Sequence, residues 1–294
     1  MISTQIYYPK GWSDFELLDS GGRMKLERWG DYVISRPDPR AIWKKSFPES
    51  KWQQADAIFI QTGESGDWKF NRQPPTRWEI SYGSIKFSLK PTAFKHVGVF
   101  PEQAVNWEWM EQVLDANDRN VKILNLFAYT GGSTMAIAAS NSDLQVTHVD
   151  SSKPAMMWAS ENAKLSGIPK EKIRWIQDDA MKFVQREIRR GVKYDGIIMD
   201  PPKFGRGTGG EVWKLEEDLA ELAGACKQLL TDNPLLFLIN AYTADLSHLA
   251  LQHLLSDVMK TSVESGELGI QESASGKILP AGIFARWSAV NRNE

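Results

Sequence analysis

Four short stretches of this chain carry the residue types and spacings of a site that binds an adenosine-containing ligand. Tyr129-Thr130-Gly131-Gly132 follows an apolar run over residues 121–127 and leads into an alanine-rich stretch. Two glycines let the backbone pass close to a ligand, and a helix starting there turns unpaired N–H groups toward a carboxylate or phosphate. Asp150 ends the next run, 145–149, where an acidic side chain can grip both hydroxyls of a ribose. Asp178-Asp179-Ala180 closes a third run, and Asp200-Pro201-Pro202-Lys203-Phe204 a fourth. The paired prolines stiffen that last ledge and remove two backbone donors, leaving carbonyls to accept from a substrate. The three-glycine dinucleotide fingerprint is absent, with Met135 at its third position, which argues against a nicotinamide or flavin ligand.

Holding these stretches in place requires an alternation of strands and helices. The apolar runs predict strands over 121–127, 145–149, 172–176, 194–199 and 234–239. Helices are predicted from Gly132 onward, over 153–166 (opened by Ser152 and Pro154, closed by Gly167), from Asp179 to Arg190, over 214–230 and over 246–260. Such alternation implies an α/β fold with a doubly wound, mostly parallel sheet, finished here by an antiparallel pair over 266–273 and 282–290. On the 214–230 helix, Leu215, Leu219, Leu222, Cys226 and Leu229 form one stripe, which places Cys226 in the core as a small apolar group. Asp178 and Asp179 have a second reading, as N-caps of the helix they open.

Residues 1–90 read as a small β-rich domain, with short runs at 14–18, 24–29, 32–35, 57–61 and 78–89 broken by Gly and Pro, and a polar loop at 62–76. Residues 91–294 make the second domain. It is entered through a bridge in which Val105, Trp109 and Val113 share one face of a helix beginning near Glu102. Arg23, Lys25, Arg28, Arg36, Arg40, Lys44 and Lys45, interleaved with Trp29, Tyr32 and Trp43, form either a basic patch or a solvated face over an aromatic core. Five of the 12 tryptophans (Trp12, Trp29, Trp43, Trp52 and Trp68) fall before residue 70, a load suited to internal packing or to stacking on unpaired bases.

The 294 residues are 42% hydrophobic, enough for a buried core. No window reaches the roughly 18 apolar residues of a membrane helix, and the start lacks the pattern of a signal peptide, so a cytoplasmic protein without membrane contact is expected. A single cysteine and four scattered histidines predict no metal site and no disulfide framework. The net charge of −2 argues against broad, sequence-independent nucleic-acid binding.

NLFAYTGG, VDSSKPAMMWASENAKLSGI, QDDAMKFV and DPPKF, in this order and spacing, resemble the class I S-adenosylmethionine (SAM) methyltransferases. Within them they are similar to bacterial 23S ribosomal RNA base methyltransferases that make 5-methylcytosine and 7-methylguanine. The likeness covers roughly the last two thirds of the chain and extends back to KHVGVFPEQ. It implies a seven-stranded Rossmann-like methyltransferase sheet, SAM as cofactor and RNA, ribosomal RNA above all, as partner. It implies cofactor contacts from Phe100, Gln103, Asn125, Ala128, Tyr129, Thr130, Gly131, Gly132, Ser133, Asp150, Ser151, Asp179 and Ala180, with Asp179 accepting from the adenine amine. The catalytic role is expected of Asp200, Pro201, Pro202 and Lys203, with Phe204 or Tyr129 available to stack on an extruded base, and Lys203 either contacting a phosphate or standing as a surface lysine after the proline turn. The family pattern reads aspartate-glutamine-arginine where this chain has Glu102-Gln103-Ala104.

A second departure bears on the reaction. Carbon 5 of a pyrimidine becomes nucleophilic only when a thiolate adds at carbon 6. The cytosine-modifying relatives carry that cysteine after the fifth strand, whereas this chain has Asn240-Ala241-Tyr242-Thr243 there. A nitrogen or oxygen acceptor remains, a base nitrogen being the expected one, and a ring nitrogen or amine needs little activation. The competing readings are a SAM methyltransferase acting on a protein or small molecule, with the N-terminal part as a lid, and a SAM-binding module without activity. An NAD-dependent dehydrogenase trails these. Target position and oligomeric state are not legible.

Overall fold

The computed structural model describes residues 5–63, 65–117, 120–140, 143–207, 210, 212–242 and 245–289. Two compact units alternate along the chain: Met1–Tyr7, Val105–Leu268 and Gly282–Glu294 form the first, Tyr8–Ala104 and Gly269–Ala281 the second. The second unit thus runs past the boundary expected at residue 90 and recruits a segment from far downstream. Within it the backbone N–H groups of Ser273 and Ala274 donate to the carbonyls of Leu17 and Leu18. Local pattern carries no signal for a pairing of that sequence separation.

After the two-residue strand β1 (Ile6–Tyr7), the second unit builds a five-stranded sheet from β2 (Phe15–Gly21), β3 (Met24–Trp29), β4 (Tyr32–Pro37), β5 (Ala57–Thr62) and β6 (Ser65–Phe70). The short helix α1 (Glu49–Gln53) joins β4 to β5, and a separate hairpin follows from β7 (Trp78–Tyr82) and β8 (Ile85–Leu89). The loop expected over 62–76 contains β6, which pairs antiparallel with β5 and sets Trp68 opposite Phe59. Its polar residues disguise it: Ser65, Asp67 and Lys69 are exposed, while the large apolar side chains come only at every second position.

The basic tract is divided: Arg23 and Lys44 are exposed, whereas two of its members turn inward. Lys25 and Arg36 are buried among Glu27 and Asp38. Arg36 donates to both oxygens of Glu27 at 2.6 and 3.0 Å, and Arg40 to both oxygens of Asp38 at 2.9 and 2.8 Å. The Lys25 ammonium lies 3.3 Å from Glu27 and 3.6 Å from Asp38. Burial alone would raise the Asp38 carboxyl, yet the hydrogen bonds from Arg40 and the charges of Lys25 and Arg40 bring it down to about 2. Alternation along β3 and β4 points these charges inward, where they satisfy one another. Trp29 and Trp52 are likewise internal, the Trp52 indole donating to Asp19 at 3.1 Å.

The first unit follows the expected alternation. After α2 (Ala104–Asp115) come β9 (Val121–Leu126), α3 (Gly132–Ala139), β10 (Leu144–Asp150), α4 (Lys153–Leu165), β11 (Ile173–Gln177), α5 (Ala180–Arg189) and β12 (Gly196–Met199). A small antiparallel hairpin, β13 (Phe204–Arg206) and β14 (Val212–Lys214), precedes α6 (Leu215–Lys227), β15 (Leu236–Ala241), α7 (His248–Met259), β16 (Glu264–Gln271) and β17 (Ile278–Ser288). The sheet order is β1-β16-β17-β15-β12-β9-β10-β11, the expected seven strands plus β1 parallel to β16 at the edge. The central strands pair in parallel and are buried on both faces, as their unbroken apolar runs require. Cys226 is fully buried beside Leu215, Leu219, Leu222 and Leu229, where burial pushes its thiol up, far from thiolate character.

Candidate cofactor and catalytic site

Register decides whether the four chemical stretches meet. Leu126 of β9 lies level with Val149 of β10 on one side and Met199 of β12 on the other, and Asp150 lies level with Gln177 of β11. The glycine turn, Asp150, the Asp178–Asp179 pair and the Asp200 ledge therefore leave the same rim of four neighbouring strands. Ligands of open α/β sheets bind at this carboxyl-end rim.

The turn between β9 and α3 is tightly wound. Phe127 and Tyr129 have φ of 54° and 49°, left-handed values that non-glycine residues adopt at a cost. A hydrogen bond of 3.1 Å from the Ala128 N–H to the Val149 carbonyl and one of 2.9 Å from Gly131 to Ala128 hold the loop. Gly131 has φ 87°, and a Cβ there would lie 2.6 Å from the Met135 methyl and 3.3 Å from Ala159. At Gly132 a Cβ would lie 2.7 Å from the Trp107 ring. Gly131 is thus required by conformation and Gly132 by packing, and α3 starts at this rim. Ser133 is half-buried in that first turn.

Asp150 joins the turn to the second strand. One carboxylate oxygen accepts from the Tyr129 N–H at 2.8 Å and the other from the Ser152 N–H at 2.8 Å. Each oxygen keeps a further lone pair, so a ribose diol can donate to both. Burial raises its carboxyl above the usual range, and the bonds from Ser152 and Tyr129 pull the other way. Ser151 is half-buried beside it. On the third strand, Asp179 is the N-cap of α5, accepting from the Lys182 N–H at 3.0 Å, and Ala180 is the first helical residue. Asp178 accepts from the Asp179 N–H at 2.9 Å and pairs with Arg186 at 2.5 Å. The capping reading of Asp179 is therefore realised, through one oxygen of its carboxylate.

Two of the sequence candidates serve the scaffold. Asn125 is buried and donates its amide to the Thr134 hydroxyl at 2.9 Å. Thr130 is buried, its carbonyl accepting from Asn162 at 2.9 Å. Sequence reasoning missed the partners beneath the turn: Thr134 Oγ1 is also 2.9 Å from His148 Nδ1, and burial pushes the His148 imidazole down to about 3, keeping it neutral. The available signal was Thr147 and His148 interrupting an otherwise apolar strand. Phe100 and Gln103 belong to the second unit, as the cap and the last residue of a single 3₁₀ turn in which the Gln103 N–H donates to the Phe100 carbonyl at 3.1 Å.

At the fourth stretch Asp200 is half-buried and Pro201 buried, while Pro202, Lys203 and Phe204 are exposed. The expectation of open carbonyls along the ledge needs correcting. The Pro202 carbonyl accepts from the Trp213 indole at 2.7 Å and the Lys203 carbonyl from Leu215 at 3.0 Å. The β13–β14 hairpin and the start of α6 fold back onto the ledge, which its composition did not show. Lys203 pairs with exposed Asp245, a surface contact that salt or an incoming phosphate can replace. Ala241 ends β15 and Tyr242 follows, a stretch without cysteine, while Thr243 lies outside the described residues. Among the described residues, no group of three or more His, Cys, Asp or Glu is placed to hold a metal, and no helix is long and apolar enough to cross a membrane.

Comparison with known proteins agrees with this geometry. A family model described as S-adenosylmethionine-dependent methyltransferase matches residues 60–251. The crystal structure of a SAM-dependent methyltransferase from Agrobacterium tumefaciens is 42% identical, with a TM-score of 0.92 over 97% of this chain and 94% of that one. Ribosomal RNA large subunit methyltransferase K/L of Shewanella frigidimarina is 28% identical over 71% of this chain and 31% of its own length. Ribosomal RNA large subunit methyltransferase I of Klebsiella pneumoniae is 36% identical over 36% of this chain and 24% of its own. The chain thus spans about a third or less of the length of these two curated relatives.

Proposed function

The chain belongs to the S-adenosylmethionine-dependent methyltransferases, and from that premise we propose that it methylates a nitrogen of an RNA base, in ribosomal RNA, in the cytoplasm. SAM supplies an electrophilic methyl carbon on a sulfonium. The residues that fit it are the Tyr129–Ser133 turn, wound tightly at the rim with Gly131 at φ 87°, and Asp150, whose two oxygens suit a ribose diol. The resemblance assigns the adenine edge to Asp179 and Ala180, which open α5 on the same rim.

The chain's own contribution to the reaction is alignment, which can supply roughly 7 to 11 kcal/mol. Asp200 and the Pro201 carbonyl accept the hydrogens of an amine and leave its lone pair pointing away from the ledge. Phe204, 54% exposed, offers a face on which an extruded base can stack. SAM, when bound, would supply the methyl group to that lone pair, and Asp200 or water would take the proton that the amine loses.

The observation that turns the choice away from carbon 5 of a pyrimidine is the placement of the single cysteine. Cys226 is fully buried on the apolar stripe of α6, so no thiolate can add to a pyrimidine ring. The ribosomal RNA part rests on what the relatives' names say of them. Incubating total RNA with the protein and labelled SAM, followed by nucleoside analysis, tests both parts. Label in an N-methylated base is expected. Label in 5-methylcytosine overturns the nitrogen assignment, and label only in protein or small molecules overturns the RNA assignment.

A further inference from the structure

The ion network of the second unit holds more positive than negative charge. Its inner members balance: the carboxylates of Glu27 and Asp38 are matched by Lys25 and Arg36. Two half-buried cations are added to them. Arg40 bonds the same Asp38, through both oxygens. The Lys95 ammonium lies 3.2 Å from the Pro37 carbonyl, and the Lys95 carbonyl accepts from Arg36 at 3.0 Å. Among the described residues no carboxylate lies within 4 Å of the Lys95 ammonium, and only one of its three N–H groups has a protein acceptor. Four cations therefore converge on residues 36–40 against two carboxylates. Glu102 is a third acid in range of them, buried, and burial raises its carboxyl while Lys25, Arg40 and Arg36 pull the other way. Even with Glu102 ionised, one positive charge is unmatched.

Lys95 costs the fold stability in two ways. Its backbone has φ 61°, a left-handed value that non-glycine residues hold only where the surroundings impose it. Burial holds its ammonium below the usual range; Asp38 opposes this, and Lys25, Arg36 and Arg40 add to it. Next to it, burial and the charges of Arg36, Lys95 and Lys25 push the His96 imidazole down to about 3, so it stays neutral and adds no charge. The turn that carries Lys95 is closed by three hydrogen bonds. The Thr92 N–H and hydroxyl donate to the His96 carbonyl at 3.1 and 2.8 Å, and the Lys95 N–H donates to the Thr92 carbonyl at 3.2 Å. In the same turn Phe94 is 65% exposed. A strained, preformed turn thus carries an ammonium without a counter-ion and a solvent-facing aromatic ring.

We propose that Lys95, backed by the charge of Arg40, binds a phosphate of a single-stranded RNA segment, with Phe94 stacking on an adjoining base. The proposal rests on the RNA reading above and adds a docking site to it. A phosphate diester brings the missing negative charge and oxygens that accept the N–H groups of Lys95. A nucleotide also brings a ring face for Phe94, which the carboxylates of an acidic peptide do not.

The full chain is titrated across a salt series with labelled dodecaribonucleotides of differing base composition, and methyl transfer to total RNA is measured on the same preparations. Lys95→Gly should weaken binding about 10-fold or more, by the same factor for every composition, because the lost contact is to the backbone. The slope of log affinity against log salt should become shallower by about 0.7, the share of one phosphate on a single strand. Glycine adopts φ 61° without strain, so this variant should keep the wild-type urea midpoint, which separates lost grip from lost fold. Lys95→Arg should retain most of the affinity. Phe94→Leu should weaken binding roughly 5-fold or more and leave the salt slope unchanged. Lys51→Gln, at an exposed lysine of α1, should change neither. Wild-type affinity and slope in Lys95→Gly overturn the site, and methylation of RNA by the same preparations leaves the RNA reading standing. Lys95-dependent binding of inorganic phosphate or of a polyglutamate peptide, with no RNA bound, overturns the RNA occupant. Lys95-dependent RNA binding without RNA methylation supports the site and overturns the base-methylation reading; neither binding nor methylation of RNA overturns both.

Discussion

Replacing Asp150 with alanine tests the cofactor cradle most directly. The carboxylate does two things at once: it would accept from the ribose hydroxyls, and it accepts 2.8 Å hydrogen bonds from the N–H groups of Tyr129 and Ser152. The first bears on SAM affinity, where losing hydrogen bonds to a charged acceptor costs about 1 to 3 kcal/mol, or roughly a 5- to 150-fold rise in Kd. The second bears on the turn, because Tyr129 is held at φ 49° partly by that bond, and freeing it relaxes the loop that carries Gly131 and Gly132. Isothermal titration with SAM measures the combined effect. Asp150→Asn separates the two: the amide still accepts through one oxygen, but its NH₂ faces a backbone N–H, so the loss should fall between wild type and alanine. The carboxylate must be ionised to accept both ribose hydroxyls. Because burial raises its titration point, wild-type affinity should decline with acidification at a higher pH than an ordinary aspartate would give. That extra decline should vanish in Asp150→Ala. An unchanged Kd in the alanine variant, or an identical pH profile, would refute the assignment.

Gly131→Ala should cost about 1 to 2 kcal/mol from the left-handed conformation alone, with a further cost from contact with Ala159, read by urea denaturation; SAM affinity should fall as the turn shifts. Cys226→Ser should destabilise by about 1 to 3 kcal/mol, since it buries a hydroxyl among apolar side chains, while methyl transfer per folded molecule stays at the wild-type rate. Loss of transfer at full folding would mean that the thiol takes part. Asp38, held at about 2 against 3.8 in the unfolded chain, contributes about 2 kcal/mol that is present above pH 4 and lost as pH falls through that interval. Acid unfolding of Asp38→Asn should lack that portion of the slope.

Much of the first unit was legible because its signals are local. A buried parallel strand is an apolar run, a helix start is Ser152 with Pro154, and its end is Gly167 at φ 67°. The stripe through Leu215 and Cys226 follows from helical periodicity, and the acidic residue at the end of β10 from strand length. The second unit was harder to read. β6 hides in a polar stretch, and a buried ion network has the same composition as a solvated basic patch.

The sequence by itself determined which residues end the strands and which turn opens α3, since these depend on neighbours a few positions away. Only the tertiary structure decided that Leu126, Val149 and Met199 lie level, so that four separate stretches share one rim. It alone turned Lys25 and Arg36 inward and assigned Asp179 to a helix cap. Register and burial are set by contacts between residues distant in the chain, and such contacts leave no periodic trace in the sequence.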